Sequence, residues 1–143
     1  MPKPKVLFIC LGNSCRSIMA EALTRHRCGE CWEAYSAGIN PLGWVAPETL
    51  TVLGELGVDT AGLRSKGLDE FDLAEFQLLV NLSGHSLPGR ISPPPADRLI
   101  HEPVLDPFGG SLERYRQSRE AIDALIRREL CGAEPLPPEL PAA

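Results

Sequence analysis

The stretch that decides the fold is residues 6–17, which read VLFICLGNSCRS. An apolar run rich in β-forming residues ends at Cys10, Gly12 and Asn13 tolerate left-handed backbone angles, and the pattern then becomes helical. A strand, a tight loop and a helix N-terminus in this order point several backbone N–H groups at one spot, beside the positive end of the helix dipole. The stretch therefore predicts a cradle for an oxyanion of phosphate size, which the planar guanidinium of Arg16 closes.

A thiol at the floor of this loop is unusual for a simple binding site. The amide dipoles, the helix terminus and Arg16 all favour the thiolate of Cys10 over its thiol. A thiolate beneath a bound phosphoryl group is placed for in-line attack, which gives a covalent phosphocysteine. The hydroxyl of Ser17 is predicted to hydrogen-bond the same sulfur and to ease its departure in the second step. The alternative interpretation is a buried Cys at the end of a core strand, with Arg16 as an ordinary cation of the first helical turn.

Residues 10–17 resemble the signature of the low-molecular-weight protein tyrosine phosphatase family, which is Cys-x5-Arg-Ser/Thr close to the N-terminus. One departure is Ile18, where many members carry Pro, at a position that shapes helix entry rather than chemistry. Thioredoxin-coupled arsenate reductases share the same fold and loop. The resemblance implies a four-stranded parallel sheet in flavodoxin-like order, with the phosphate loop after strand 1.

The alternation of strand and helix patterns along the chain independently predicts a three-layer α/β fold. Strands are predicted over residues 6–9, 33–37, 77–82 and 98–101, a first helix over 17–25 and a short helix over 71–76. A second long helix is predicted to begin with Pro47 in its first turn and to bury Leu50, Leu53 and Leu56. The last helix is predicted to begin at the N-cap Ser111 and to bury Tyr115, Ile122, Leu125 and Ile126.

The length and composition bound the kind of protein. At 143 residues the chain is predicted to form one domain over residues 1–131, followed by a Pro-rich, disordered tail over 132–143. A net charge of −5 argues against nucleic acid and against an anionic membrane surface as partners. No apolar stretch approaches the roughly 20 residues that span a bilayer, and the start of the chain has no signal-peptide pattern. We therefore expect a cytoplasmic protein.

Five cysteines, an odd number, are not typical of a disulfide framework in a chain of this size, which also favours a reducing location. Cys28 and Cys31 have the Cys-x2-Cys spacing of a zinc or redox motif. No second Cys/His pair with ligand spacing accompanies them, so we interpret residues 28–31 as a surface turn between a helix and a strand. No metal and no cofactor are predicted.

An Asp-Pro pair, Asp106 and Pro107, precedes the last predicted helix. Taken alone, it is typical of an ordinary turn. The resemblance implies more, because family members carry an Asp-Pro in this place and its Asp is the general acid. The resemblance thus assigns the nucleophile to Cys10, the transition-state clamp to Arg16, the acid and base to Asp106 and the thiolate hydrogen-bond donor to Ser17. The phosphate-binding amides are assigned to the loop residues Leu11, Gly12, Asn13, Ser14 and Cys15, together with Arg16.

Two residues are predicted to support the loop. Asn13 is predicted to hold the loop in a strained shape through side-chain hydrogen bonds, and the resemblance implies Ser36 as a partner in that network. Asn13, Glu21 and Ser36 also match positions of a potassium site in some arsenate reductases, but Lys66 lies where a further acidic ligand is expected. A structural charge pair of Glu21 and Lys66 is the alternative.

The resemblance leaves the substrate open. Trp44 and Phe108 are placed to line the mouth of a cleft for phosphotyrosine, although either fits a core position. Ser14 matches members that act on phosphoarginine, and also reductases. Cys15 lies five residues beyond Cys10 and is predicted to trap the oxidised nucleophile as a reversible disulfide, with a packing role as the alternative.

Residues 82–88, where thioredoxin-coupled reductases of this fold keep their later cysteines, contain none. The sequence therefore favours a phosphomonoester hydrolase over an arsenate reductase that uses Cys15 or an external thiol. A module that binds phosphate without turnover is a third hypothesis, which the joint presence of Cys10, Arg16 and Asp106 disfavours. The expected partners are a phosphorylated protein or a small phosphate or arsenate oxyanion, together with a thiol reductant in the reductase alternative.

Overall fold

The computed structural model describes residues 2–87 and 98–132. It contains four strands and three α-helices within these ranges, which alternate over the first half of the chain. In chain order the elements are β1 (Lys5–Cys10), α1 (Arg16–Cys28), β2 (Glu33–Gly38), α2 (Pro47–Gly54), β3 (Leu78–Asn81), β4 (Leu99–His101) and α3 (Leu112–Glu129), with short 3-10 turns at Leu68–Glu70 and Leu73–Glu75 between α2 and β3.

The strands form one parallel sheet in the order β2-β1-β3-β4. In the central strand β1, Cys10 pairs with Gly38 of β2, and Ile9 pairs with Asn81 of β3. This arrangement confirms the α/β class and the flavodoxin-like strand order. The carboxyl ends of β1, β2 and β3 meet at one edge of the sheet, which is where open parallel sheets bind ligands.

The two faces of the sheet are covered in different ways. Alternate side chains of β1 point to opposite faces, so Phe8 packs among the helices while Leu7 and Ile9 pack on the other side. The helical face buries residues of α1, α2 and α3 in one apolar cluster. The opposite face is closed by the segment with the 3-10 turns, where Tyr35, Phe71 and Phe76 pack edge to face with ring centroids 5.7–5.8 Å apart.

The first two helices differ from prediction at their ends and faces. Helix α1 buries Met19, Ala20 and Leu23 as predicted, but it runs one turn beyond the predicted end at residue 25. In α2 the prediction that Leu50 is buried is wrong, because its side chain is 39% exposed. The short helix turns Val52 and Leu53 towards the core instead, and Leu50 lies on the outer edge of that apolar face.

The segment before β3 and the last helix also test the sequence pattern. The predicted helix over 71–76 is wrong in extent: the chain forms two three-residue 3-10 turns, and Phe71 between them is extended.

Helix α3 begins as predicted, since Ser111 accepts a hydrogen bond from the Arg114 backbone N–H at 3.3 Å. Its buried side chains include the four that were predicted.

A disulfide between Cys28 and Cys131 is a feature that the cysteine pattern did not predict. It joins the last residue of α1 to the residues just after α3, and the two Cα atoms lie 5.5 Å apart. Of the predicted surface turn over residues 28–31, only residues 29–31 form a turn, because Cys28 is the buried last residue of α1; Cys31 is a free, exposed thiol. The expectation of a chain without disulfides is therefore wrong, because two cysteines 103 positions apart meet only through the packing of α1 on α3.

Some sequence predictions fall on residues outside the described ranges. They are most of the irregular stretch over 83–97 and all but the first residue of the tail over 132–143. Within the described residues, no helix has the length and apolar character to cross a membrane.

Candidate active site

The loop between β1 and α1, residues 11–15, is shaped by where its carbonyl groups point. The carbonyl oxygens of Cys10, Leu11 and Gly12 accept hydrogen bonds of 2.8–3.0 Å from backbone N–H groups of residues 39, 40 and 42. The Ser14 carbonyl is bound in the same way by the Ala46 N–H. Because its carbonyls are occupied on the outside, the loop turns its N–H groups inwards, beside the N-terminus of α1.

Glycine is required where the end of β2 meets this loop. A side chain at Gly38 would place its Cβ 2.9 Å from the Leu11 carbonyl oxygen and 3.0 Å from the Asn13 backbone nitrogen. These contacts are closer than Cβ atoms make in real structures. The backbone of Gly38 therefore packs directly against the loop, with no space for a side chain at this position.

Asn13 adopts a left-handed backbone conformation with φ of 49°, which is uncommon outside glycine. Two hydrogen bonds of its buried side chain hold it there. Its Nδ2 donates to Ser17 Oγ at 2.7 Å, and its Oδ1 accepts from the Lys66 backbone N–H at 2.8 Å. The predicted role of Asn13 as a loop support is consistent with these bonds.

The sulfur of Cys10 lies at the base of the loop. Ser17 Oγ is 2.9 Å from it, and the Ser17 backbone N–H donates to it at 3.5 Å. Cys10 borders a cavity of about 140 Å³. The residues that line this cavity are Cys10, Leu11, Gly12, Ser14, Cys15, Arg16, Asn40, Leu42, Asp106 and Phe108. The predicted nucleophile thus faces a space large enough for a tetrahedral anion.

Arg16 is fixed from behind by the chain segments that follow β3 and β4. Its Nη1 donates to the carbonyl oxygens of Leu82 at 3.2 Å and Val104 at 3.0 Å, and its Nη2 lies 3.4 Å from Asp106 Oδ2. Its Nε is buried and has no hydrogen-bond acceptor among the described residues. The guanidinium is therefore held rigidly at the cavity and keeps a donor for an incoming oxyanion.

Asp106 lies on the opposite wall of the cavity from the loop. Its side chain is about half exposed, and its Oδ1 accepts from the Phe108 backbone N–H at 3.1 Å in an Asx turn that leads to α3. The half-exposed carboxylate therefore lies between the buried guanidinium of Arg16 and solvent.

An apolar rim surrounds the mouth of the cavity. We use this name for Leu11, Leu42, Trp44 and Phe108, whose side chains are 38–50% exposed. Phe108 lines the cavity directly, and Trp44 packs on it with ring centroids 5.7 Å apart. Trp44 is therefore part of the rim without lining the cavity.

Cys15 turns towards the core, although it also borders the cavity. It is 4% exposed, and its Sγ donates to Tyr115 Oη of α3 at 3.6 Å. Burial raises the pKa of this thiol, and the nearby Asp106 and Cys10 raise it further. Burial therefore favours the neutral thiol form of Cys15.

No hydrogen bond joins Ser36 directly to Asn13; Ser36 belongs to a buried ion cluster that reaches Asn13 through Lys66. Ser36 Oγ donates to Glu21 Oε1 at 2.5 Å and accepts from Lys66 Nζ at 3.2 Å. Lys66 Nζ lies 3.6 Å from Glu21 Oε1, and Arg25 binds Glu21 Oε2 at 2.6 Å. These residues lie on α1, on β2 and in an irregular segment, which are far apart in sequence. The sequence therefore predicts the charge pair of Glu21 and Lys66 only as an alternative.

The described residues contain no group of three or more His, Cys, Asp or Glu side chains placed to hold a metal ion.

Comparison with known proteins agrees with the fold and the loop. The chain is 34% identical over 126 residues to an arsenate reductase from Bacillus cereus, which covers 88% of this chain and 93% of the relative. A solved low molecular weight protein tyrosine phosphatase from T. tengcongensis is 33% identical, with a TM-score of 0.76 over 88% of this chain and 97% of that one. An arginine phosphatase from Geobacillus stearothermophilus is 30% identical, with a TM-score of 0.77 over 87% and 89%.

The family model of the low molecular weight phosphotyrosine protein phosphatases matches residues 5–91, which include β1, the loop and α1. With more than half of the chain matched, and relatives similar over nearly their whole length, the chain belongs to the low molecular weight phosphotyrosine protein phosphatase family.

Proposed function

We propose that the protein is a phosphomonoester hydrolase that acts on a phosphorylated side chain through a phosphocysteine intermediate. One observation carries the proposal: Cys10 Sγ, the buried guanidinium of Arg16 and the carboxylate of Asp106 converge on one cavity at the N-terminus of α1. A bound phosphoryl group is held by the loop amides and Arg16, directly above the sulfur.

The first step forms the bond between Cys10 Sγ and phosphorus and breaks the ester P–O bond. Asp106 in its protonated form gives its proton to the leaving oxygen. In the second step Asp106 takes a proton from water, which attacks phosphorus and breaks the P–S bond. The thiolate of Cys10 is regenerated, and the Ser17 hydroxyl at 2.9 Å stabilises it as it leaves.

The apolar rim supports a substrate larger than a free oxyanion. Leu11, Leu42, Trp44 and Phe108 give apolar surface to the side chain and flanking residues that carry the phosphoryl group. A bare arsenate or phosphate ion has nothing to bind there. A phosphorylated protein side chain, with phosphotyrosine as the first choice, fits both the polar floor and the apolar mouth.

Arsenate reduction is the second candidate, because relatives 34% identical to this chain carry that name. In that reaction Cys10 bonds to arsenic, a second thiol attacks the Cys10 sulfur, and arsenic(V) leaves as arsenic(III) while two thiols become one disulfide. Residues 82–87 supply no such thiol. The resolving group would be Cys15, whose thiol is buried against Tyr115, or an external thiol.

Phosphoarginine is a further candidate substrate, supported by the arginine phosphatase relative and by Ser14 in the loop. Ser14 Oγ accepts from the Ala46 N–H at 3.0 Å, so the small hydroxyl is tied to the loop before α2. This keeps the cavity wall beside Ser14 narrow and polar.

One set of assays separates the three activities: hydrolysis of para-nitrophenyl phosphate, release of phosphate from phosphoarginine, and thiol-dependent formation of arsenite. We expect ester hydrolysis that Cys10→Ser abolishes and that Asp106→Asn lowers by about a hundredfold to ten-thousandfold. Cys31→Ser is the matched cysteine control and should retain full activity, because Cys31 lies in the turn after α1. Arsenite formation without phosphate release would contradict the proposal.

A further inference from the structure

A chain of buried hydrogen bonds ends at the sulfur of Cys10. Four groups form a continuous chain: the Lys66 backbone N–H, the Asn13 carboxamide, the Ser17 hydroxyl and the Cys10 sulfur. The successive distances are 2.8, 2.7 and 2.9 Å. Asn13 and Ser17 are fully buried, and Lys66 is 8% exposed, so water does not compete for these bonds.

The direction of every bond in this chain follows from its first member. A backbone N–H can only donate, so it fixes Asn13 Oδ1 as the acceptor and turns Nδ2 towards Ser17. Since Nδ2 can only donate, Ser17 Oγ accepts from it and keeps its own proton free. That proton then points to Cys10 Sγ, where it favours the thiolate.

The side chain of Lys66 anchors the N–H that starts this chain. Residues 63–66 have neither helical nor strand structure, and one backbone bond, from the Gly38 N–H to the Lys66 carbonyl at 2.9 Å, joins them to β2. Lys66 Nζ donates to Ser36 Oγ at 3.2 Å and to the Arg64 carbonyl at 2.8 Å, and it lies 3.6 Å from Glu21 Oε1. The ammonium group thereby ties the irregular segment to α1, which follows the loop in sequence, and to β2, which packs beside the loop.

The buried ammonium group of Lys66 lies near charged groups of both signs. Burial lowers the pKa of Lys66, as do Arg64 and Arg25, whereas the carboxylate of Glu21 raises it. The ammonium group is balanced by Glu21, which is itself buried. A buried ion pair of this kind gives little net stability, which favours a positional use for it.

We propose that Lys66 is a positioning residue for the nucleophile: its ammonium group fixes its own backbone N–H on Asn13 and so directs the Ser17 proton onto the Cys10 sulfur. This inference rests on Cys10 being the nucleophile of the proposed function. Lys66 does not line the cavity and does not contact the sulfur, and the path proposed for its effect on Cys10 runs through Asn13 and Ser17.

The test measures how fast iodoacetamide alkylates Cys10 as a function of pH, which requires no turnover and is informative even if the substrate is wrong. All variants carry Cys31→Ser, so that the exposed thiol does not react. Arg16, Asp106 and Cys15, which share the cavity with Cys10, are unchanged in every variant.

We expect Lys66→Met to slow alkylation at pH 6 about threefold to tenfold, with the same rate at high pH where the thiolate is fully formed. Lys5→Met is the matched control, because Lys5 forms an exposed ion pair with Glu75 at 3.6 Å and should leave the profile unchanged. If Lys66→Met keeps the parent alkylation profile, whether its melting temperature is unchanged or lowered, Lys66 has only a structural role and the inference is refuted.

A double variant covers the case in which Lys66→Met leaves the buried Glu21 with Arg25 but without Lys66, and the protein fails to fold. Glu21→Gln with Lys66→Met removes both charges together, which is less costly than the removal of one. We expect the same loss of alkylation at low pH in this variant. A parent-like profile in the folded double variant overturns the inference.

Discussion

Loss of the disulfide between Cys28 and Cys131 should cost a large part of the stability of the fold. The bridge connects residues 103 positions apart, so it closes most of the chain after residue 27 into one loop. In the chain-entropy model a loop of this size removes about 4.7 kcal/mol of unfolded-state entropy at 25 °C. Because measured disulfides often give less, we expect Cys131→Ser to lower the free energy of unfolding by about 2–4 kcal/mol.

The assay is urea unfolding of the oxidised protein, followed by tryptophan fluorescence, with Trp44 replaced by Phe in every variant so that the signal comes from Trp32. Its indole N–H donates to the Leu130 carbonyl oxygen at 3.0 Å, directly beside Cys131, so it reports on this end of the molecule. Dithiothreitol should shift the parent midpoint to that of Cys131→Ser and should leave Cys131→Ser itself unchanged. Cys31→Ser, which alters a free thiol in the turn after α1, should unfold like the parent.

A thiol count gives an independent check. The oxidised parent in denaturant should show three free thiols, from Cys10, Cys15 and Cys31, and five after reduction. Five thiols in the untreated native protein, together with an unfolding midpoint that dithiothreitol does not move, would refute the reasoning.

Three further perturbations test the loop, the junction of α2 with α3, and the core. Gly38→Ala places a methyl group against the carbonyl of the loop and should lower hydrolysis of para-nitrophenyl phosphate about tenfold to a hundredfold, with a far smaller effect on melting. Arg116 and Arg119 lower the pKa of Glu55 to about 2. The stability that Glu55 contributes is thus complete above its ordinary value of 4.5 and is lost as pH falls towards 2; melting curves of Glu55→Gln should lose this acid dependence. Ile122→Ala in α3 should cost about 2–5 kcal/mol in urea unfolding, because its side chain is fully buried.

The sequence was informative wherever a local pattern decides the structure. The apolar strand that ends at Cys10, the Gly-Asn loop and the helix that follows are all set by residues close in sequence, and each lies where it was predicted. The same holds for the N-cap Ser111 and for the buried stripe of α3. Asp106 needed the family resemblance, since an Asp-Pro turn before a helix is common without any catalytic role.

The failures share a physical cause, which is that tertiary packing decided them. In α2, a helix of eight residues, Leu50 and Leu53 lie on the same side, but packing buries Leu53 with Val52 and leaves Leu50 at the exposed edge of that face. The partner of Cys28 was not predictable, because Cys131 approaches it only when α1 packs on α3. For Lys66 the sequence offered a charge pair with Glu21 as an alternative, and the structure contains this pair.

The two ends of α1 therefore have separate functions. Its first residue, Arg16, closes the anion cradle, and its last residue, Cys28, is covalently tied to the end of α3. A helix of 13 residues is about 20 Å long, so the two ends are too far apart for direct contact. The disulfide acts on the unfolded chain, whereas the geometry of Cys10 depends on bonds from β2, the segment around Lys66 and the end of β3. Reduction should therefore lower the stability of the protein without altering the reactivity of its nucleophile, and a redox effect on turnover in the folded protein would have to come from Cys10 and Cys15 themselves.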